Sequence, residues 1–463
     1  MKENIVKYMG DPSPLPPSLL VRKGGSMFGK IINHFSLSPL PTCREGKVGW
    51  VACVFFLFIS FTLLFSQEEL FIESTAEGAA KMNIAVIPLV SQSQEVRNRL
   101  SETPWKVIVS DLRFSGRFTV FEVEKLDTLL FREKGINVYI AGEMNYVNGK
   151  AVLSYALHDA FSLNLIANKK YEVAENNIRR AAHLFSDEVV YRLFGEKGIA
   201  STRIVAVQKR AAAKEIVLLD YDGYNMVRLT NNNKLNLTPA WSPDNQAIVY
   251  TSYRQETPAL YISWIYSGKT ERLTKNNRLN YSPSWSGIED LIAFASSQSG
   301  DCQIYIIDKS GGNQKQLTLR KSIESSPCFS PNGYEIAFTS DRTGNPNIYI
   351  MDQEGGNQRR LSFTGKYNDA PSWSPKGDKI AYMSLESGGF NIYSVDVEGA
   401  NPKALTKESR SNEHPCFSPD GRLIVFSSTR SNGSDLYIMN EDGTEQTRIT
   451  ASGDLYSPEW SGY

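Results

Sequence analysis

The sequence predicts a small α/β domain followed by an all-β six-bladed β-propeller, and three observations carry that reading. The first is a 44-residue repeat: Leu229-Thr230, Leu273-Thr274, Leu317-Thr318, Leu361-Ser362, Leu405-Thr406 and Ile449-Thr450 follow one another without drift. Tyr261, Tyr305, Tyr349, Tyr393 and Tyr437 keep the same step, as do Trp241, Trp285, Phe329, Trp373 and Phe417, with Trp460 one residue early. Residues 201–463 hold six such periods, and four short strands per 40–50 residues is the size of a propeller blade. The second is the strand-and-turn content of each row. The third is a change of hydrophobic period upstream of residue 200, where stretches of helical spacing alternate with strands.

In chain order, Lys81-Met-Asn-Ile-Ala-Val-Ile-Pro88 reads as a strand and residues 95–112 as a helix. Phe118-Thr-Val-Phe-Glu-Val123, Val138-Tyr-Ile-Ala-Gly142 and Lys150-Ala-Val-Leu-Ser-Tyr-Ala-Leu157 read as strands. Residues 176–194 carry apolar side chains at helical spacing, and Glu196-Lys-Gly198 breaks that helix, so the α/β domain is set at residues 81–200 and the propeller at residues 201–463. Within one row, Glu335-Ile-Ala-Phe-Thr-Ser340 and Asn347-Ile-Tyr-Ile-Met-Asp352 are β-branched and aromatic. Ser330-Pro-Asn-Gly333 and Asp352-Gln-Glu-Gly-Gly356 supply the hairpin turns. The repeat opens on Thr202-Arg-Ile-Val-Ala-Val-Gln208, a second strand, and ends on Leu455-Tyr-Ser-Pro-Glu-Trp460, a first strand. The C-terminus should therefore complete the N-terminal blade and close the ring.

Lysine plus arginine and aspartate plus glutamate number 50 each, so the chain lacks the basic excess of a nucleic-acid binder, and no nucleic-acid partner is expected. Residues 49–66 carry no charge and follow Arg44 and Lys47, the pattern of an export signal, with cleavage expected after Ser66. An uncleaved anchor and a buried core helix are the alternatives; the run is short for a membrane span. Residues 1–48 form a long leader or follow a misassigned start, with Met27 as the other candidate, and residues 67–80 become a mobile N-terminal segment. Of five cysteines, Cys43 and Cys53 precede residue 66, leaving Cys302, Cys328 and Cys416, an odd number without a Cys-x-x-Cys pair. Cys328 and Cys416 occupy equivalent repeat positions before phenylalanine and read as small buried apolar residues.

Catalytic signatures are missing: the sequence has no Gly-x-Ser-x-Gly elbow, phosphate-binding glycine loop or His-Glu-x-x-His pair. Its four histidines, His34, His158, His183 and His414, show no metal-ligand spacing. His183 reads as a helix-packing or capping residue. Asp220-Tyr-Asp222-Gly223 offers two carboxylates, too few for calcium, and reads as a hairpin turn. No cofactor and no metal are expected.

The repeat strands run through Pro239-Ala-Trp-Ser-Pro-Asp244, Pro371-Ser-Trp-Ser-Pro375 and Pro415-Cys-Phe-Ser-Pro-Asp-Gly421. The first domain adds, in order, Asp111-Leu-Arg-Phe-Ser-Gly-Arg-Phe118, Arg179-Arg-Ala-Ala-His-Leu-Phe-Ser-Asp187 and Gly195-Glu-Lys-Gly-Ile-Ala-Ser-Thr-Arg-Ile204. Together these runs resemble the TolB family, the periplasmic propeller proteins of the bacterial Tol-Pal system, from about Glu69 to the end. The resemblance implies a non-enzymatic periplasmic protein, monomeric within a complex and without a membrane span in its mature form. It would couple an inner-membrane TolA-like protein to a Pal-like peptidoglycan-associated lipoprotein during envelope constriction. It further implies a TolA-binding role for Glu69, Leu70, Phe71, Ile72 and Glu73, whose acidic and apolar mixture suits strand addition. The alternatives are the propeller of a peptidase-like enzyme, against which the missing hydrolase domain speaks, and a small-ligand binder using the central channel.

For the lipoprotein, the loops entering the first strand of each blade are the expected contact, because they differ from row to row while their neighbours repeat. They lie on the face opposite the Ser-Pro-Asp and Asp-x-x-Gly hairpins. The residues are Leu237, Thr238, Tyr281, Ser282, Ser325, Asp369, Glu413, His414 and Tyr456. Tyr281, Tyr456 and His414 would be rigid anchors and Asp369 and Glu413 acceptors.

Overall fold

The computed structural model describes residues 81–91, 102–407, 410–451 and 453–463. The apolar run at 49–66 and the segment 67–80, with Glu69 to Glu73, lie outside the described residues. Among the described residues, no helix is long and apolar enough to cross a membrane.

The α/β part is a five-stranded sheet in the order β2-β1-β3-β4-β5, with β1 Met82–Val86, β2 Phe118–Glu122, β3 Val138–Val147, β4 Lys150–Asp159 and β5 Leu165–Val173. Met82 pairs with Phe118 and Ile84 with Val138 in parallel, while β3, β4 and β5 run antiparallel. Helices α1 (Glu102–Phe114) and α3 (Ile178–Phe194) cover one face, burying Ile108, Leu112, Ala182, Phe185 and Val189 against Ile84, Leu153 and Tyr155. The six-residue α2 (Thr128–Glu133) begins at Asp127, whose carboxylate accepts from the N–H groups of Leu129 and Leu130, and it seats Phe131 against Tyr139 on the other face. Neither α2 nor β5 is expected from the sequence. Helix α3 ends at Phe194, where the helical spacing of the sequence ends, and Gly195 closes it at φ 68°, a left-handed conformation that carries no Cβ penalty in glycine.

The rest is six four-stranded antiparallel sheets. Blade one combines Leu455–Trp460 with Arg203–Arg210, Ala213–Asp220 and Val227–Arg228, as the closure argument requires. Leu455 faces Gln208 and Trp460 faces Ile204. Blades two to six begin at Asn236–Trp241, Asn280–Trp285, Glu324–Phe329, Asn368–Trp373 and Asn412–Phe417. The α/β domain followed by a six-bladed propeller is thus the fold class expected.

Each repeated residue has a physical reason. The hydroxyls of Thr230, Thr274, Thr318, Ser362, Thr406 and Thr450 accept from the N–H groups of Ile216, Leu260, Ile304, Ile348, Ile392 and Leu436 at 2.8–3.0 Å, satisfying a buried donor on the third strand. Serine at 362 keeps the bond. The preceding Leu273, Leu317, Leu361 and Leu405 fill the blade cores. The repeated tyrosines pack on second-strand aromatics, from Tyr250–Tyr261 to Phe426–Tyr437, with ring centroids 5.8–6.2 Å apart. In four blades the buried residue opening the inner strand, Asn236, Asn280, Glu324 or Asn412, accepts from the serine ending the second strand, Ser252, Ser296, Ser340 or Ser428.

Candidate recognition site at the propeller mouth

The mouth is built by a bulge repeated in every inner strand. Pairing with the second strand shifts register there, as between Tyr281 and Ser284 or Glu413 and Cys416. Thr238, Ser282, Ser326, Ala370, His414 and Ser457 occupy the bulge at φ 44–53°, a left-handed backbone unusual for residues other than glycine and asparagine. A proline follows each of them. Six strained residues therefore stand in a ring, and all six, with their prolines, line a channel cavity of about 420 Å³.

Of the expected residues, Thr238, Tyr281, Ser282, Ser325, Asp369 and His414 line this cavity. Leu237 and Tyr456 instead pack against the core shared by blades one and two, with Lys214 Nζ 5.2 Å from the Tyr456 ring centre, and are not among the lining residues. Glu413 is also outside the lining; its carbonyl accepts from Ser427 Oγ at 3.1 Å. Ser326, Ala370 and Ser457, which belong to the same loops entering the first strands, line it from the bulges, and the structure adds Ile323 and Tyr367 one step before the inner strands, and Glu459.

Electrostatically the cavity is a set of acceptors among rings. Asp369 Oδ1 accepts from Thr339 Oγ1 at 2.8 Å and from the Ala370 N–H at 2.7 Å, and Oδ2 accepts from the Tyr367 hydroxyl at 3.2 Å. Burial, with Cys302 and Asp369 nearby, pushes the Tyr281 hydroxyl well above its usual range. Burial lowers the His414 imidazole, against the upward pull of Glu413 and Asp369, and its Nδ1 has no hydrogen-bond partner among the described residues. Glu459, half-buried in the channel wall, is raised by burial to about 7. Such a surface suits a partner that brings donors and apolar side chains.

Below the mouth, neighbouring inner strands are latched by one repeat position. Ser284 Oγ accepts from the Phe329 N–H, Ser372 Oγ from Phe417 and Cys416 Sγ from Trp460, each at 3.3 Å. Cys302, Cys328 and Cys416 are free thiols. The expectation that Cys416 is only a small apolar residue is therefore incomplete.

A second cluster joins the two parts of the chain. His183 Nδ1 lies 3.0 Å from both carboxylate oxygens of Asp111 on α1, and the Tyr221 hydroxyl donates to Asp111 Oδ1 at 2.8 Å. Arg179 pairs with Asp222, whose Oδ2 is 3.7 Å from His183 Nε2. Burial opposes the charge on His183, but Asp111 outweighs it and holds the imidazole up at about 9. Burial lifts the Asp222 carboxyl against the pull of His183 and Arg179. Although Asp111, His183 and Asp222 bring ligand-type atoms within 4.8 Å of one another, Arg179 already supplies the cation at Asp222. The Asp220–Gly223 stretch is a turn, as expected, but it also carries Asp222 into this cluster. On the same helix, Asp187 accepts from the N–H groups of Ala200 and Ser201 at 2.7 and 2.9 Å, tying α3 to the propeller entrance.

Comparison with known proteins agrees with this architecture. Residues 70–166 match the TolB amino-terminal domain and residues 190–463 the TolB β-propeller domain. A Tol-Pal system protein TolB of Blochmanniella floridana is 32% identical over 41% of this chain and 45% of its own length. A TolB homolog of Chlorobaculum tepidum is 36% identical over 46% of this chain and 50% of its own. The match thus spans about half the length of these curated relatives. The crystal structure of TolB from Acinetobacter baumannii superposes with a TM-score of 0.71 at 27% identity, covering 83% of this chain and 97% of that one. With both domain profiles matched in order and the propeller profile alone covering residues 190–463, the chain belongs to the TolB family.

Proposed function

We propose that this chain is a non-enzymatic periplasmic scaffold of the Tol-Pal system. Its propeller mouth receives a Pal-like peptidoglycan-associated lipoprotein, and residues 67–80 engage a TolA-like inner-membrane protein through Glu69, Leu70, Phe71, Ile72 and Glu73. In this reading the folded parts at 81–200 and 201–463 link the two contacts, and the assembly serves envelope integrity and outer-membrane constriction during division. The names of the relatives, Tol-Pal system protein TolB, support the system. The single observation supporting the lipoprotein site is the ring of six left-handed residues around the channel, where backbone strain coincides with Tyr281, Asp369 and His414.

Binding of the purified lipoprotein by calorimetry tests this. Tyr281→Ala combined with Asp369→Asn should weaken binding by roughly tenfold or more, as loss of an anchor does, while the variant keeps a cooperative melting transition. Full-strength binding by the folded double variant, or an equal loss from Asn332 and Lys376 substitutions on the opposite face, would remove the mouth from consideration.

A further inference from the structure

Away from the channel, β5 forms one of the two edges of the α/β sheet. Among the described residues β5 pairs with β4 alone, and it stands last in the sheet order. Along this edge the side chains change character. Phe161, Leu163, Leu165 and Ile166 expose 64, 43, 53 and 39% of their surface, whereas Lys169 and Lys170, further along, are exposed cations. The apolar end is rigid: Asp159 Oδ1 accepts from Phe161 N, Ser162 N and Ser162 Oγ at 2.7–3.0 Å. Leu163 is held there at φ 61°, a backbone that glycine or asparagine adopts more easily. A leucine kept both strained and exposed is costly on two counts. Helix α3 forms a wall beside the edge, since Lys169 Nζ lies 3.5 Å from Glu188 Oε2 and Leu184, one turn earlier, is 37% exposed. Lys170 has no carboxylate partner among the described residues.

We infer that the β5 edge is a strand-addition site for an extended partner segment with an apolar half and an acidic half. Unpaired main-chain groups supply the affinity, Phe161, Leu163, Leu165 and Ile166 meet the apolar half, and Lys170 meets the acidic one. A second copy of this chain is a poor occupant, because antiparallel self-pairing about the strand centre sets Lys169 against its own counterpart. A lipid surface would engage the tip and leave the nine-residue edge unpaired.

The test uses the full chain and a fluorescein-labelled octapeptide, Ser-Val-Phe-Val-Glu-Thr-Glu-Thr, with a second version carrying lysine for glutamate. The acidic peptide should bind saturably and slow amide hydrogen exchange over residues 165–173. Lys170→Glu should weaken it at least tenfold and reverse the preference toward the lysine peptide. Leu163→Asn should also weaken binding while raising the melting temperature, which separates lost contact from lost folding. Absent binding, equal binding of both peptides, or binding without protection of residues 165–173 overturns the inference. So does cosedimentation with phosphatidylglycerol vesicles that Leu163→Asn abolishes while the peptides stay inert, which would reassign the tip to lipid.

Discussion

Cys416 sits where serine serves in two other blades, and its thiol accepts from the Trp460 N–H as Ser284 and Ser372 accept from the next inner strand. The bond needs an acceptor at that position rather than sulfur chemistry. Cys416→Ser should therefore leave stability within about 0.5 kcal/mol, whereas Cys416→Ala should cost about 1 kcal/mol for the unsatisfied N–H, both read from urea unfolding. Glu459 makes a different residue-scale prediction. Its carboxyl is raised to about 7 from the ordinary 4.5, so the protonated form is the one the fold prefers. The stability contributed by that preference is complete below pH 4.5 and is lost as pH rises through 7. Glu459→Gln should match the parent at low pH and exceed it by about 1 kcal/mol at pH 8, a figure reduced for contact with channel water. Parallel unfolding curves across the whole pH range would show that the carboxylate is solvated.

Between elements, the cluster of Asp111, Arg179, His183, Tyr221 and Asp222 fixes α1 and α3 to the first turn of blade one. Because the imidazole is raised to about 9 from 6.5, the stability it confers is full below pH 6.5 and is lost as pH rises through 9. His183→Ala should cost about 3 kcal/mol at pH 6, as stranded buried carboxylates do, and should flatten the stability profile between pH 6.5 and 9. Little of this could be read from the sequence: Asp111 and Tyr221 stand 110 residues apart, and only the fold brings them together. The blades were legible because period, turn chemistry and apolar alternation agreed in every row. Helix α2 escaped because six residues fall below any periodicity window. β5 escaped because an edge strand open to solvent needs no apolar alternation, and its Asn168-Lys-Lys170 centre shows none. The mouth was legible in part. Variability between rows marked Tyr281, Asp369 and His414, but the left-handed backbone of Ser326, Ala370 and Ser457 has no signature in residue identity.

For the whole molecule, the decisive interaction is the return of the C-terminus to blade one. Leu455 and Trp460 are buried, Trp460 Nε1 donates to Thr202 Oγ1 at 2.8 Å, and the Ser461 N–H donates to Arg203 O at 2.8 Å. Trp460 also stacks on Tyr221, the residue that holds Asp111, so the closing strand supports the junction with the α/β part as well as the ring. Removing residues 453–463 would strip the inner strand from blade one, open the edge of Arg203–Arg210 toward the channel, and leave Cys416 without its donor. A ring depends on all its interfaces, and an exposed inner edge invites pairing with another chain. The truncated chain should lose its cooperative thermal transition or melt more than about 10 °C lower, given several kcal/mol lost from a fold of this size. It should also elute as oligomers on gel filtration. Trp460→Ala alone should cost about 3–4 kcal/mol, the usual scale for a buried aromatic. A truncated monomer that melts cooperatively within a few degrees of the full chain would falsify the claim that closure stabilises the propeller, and would assign its stability to the remaining five blade-to-blade cores.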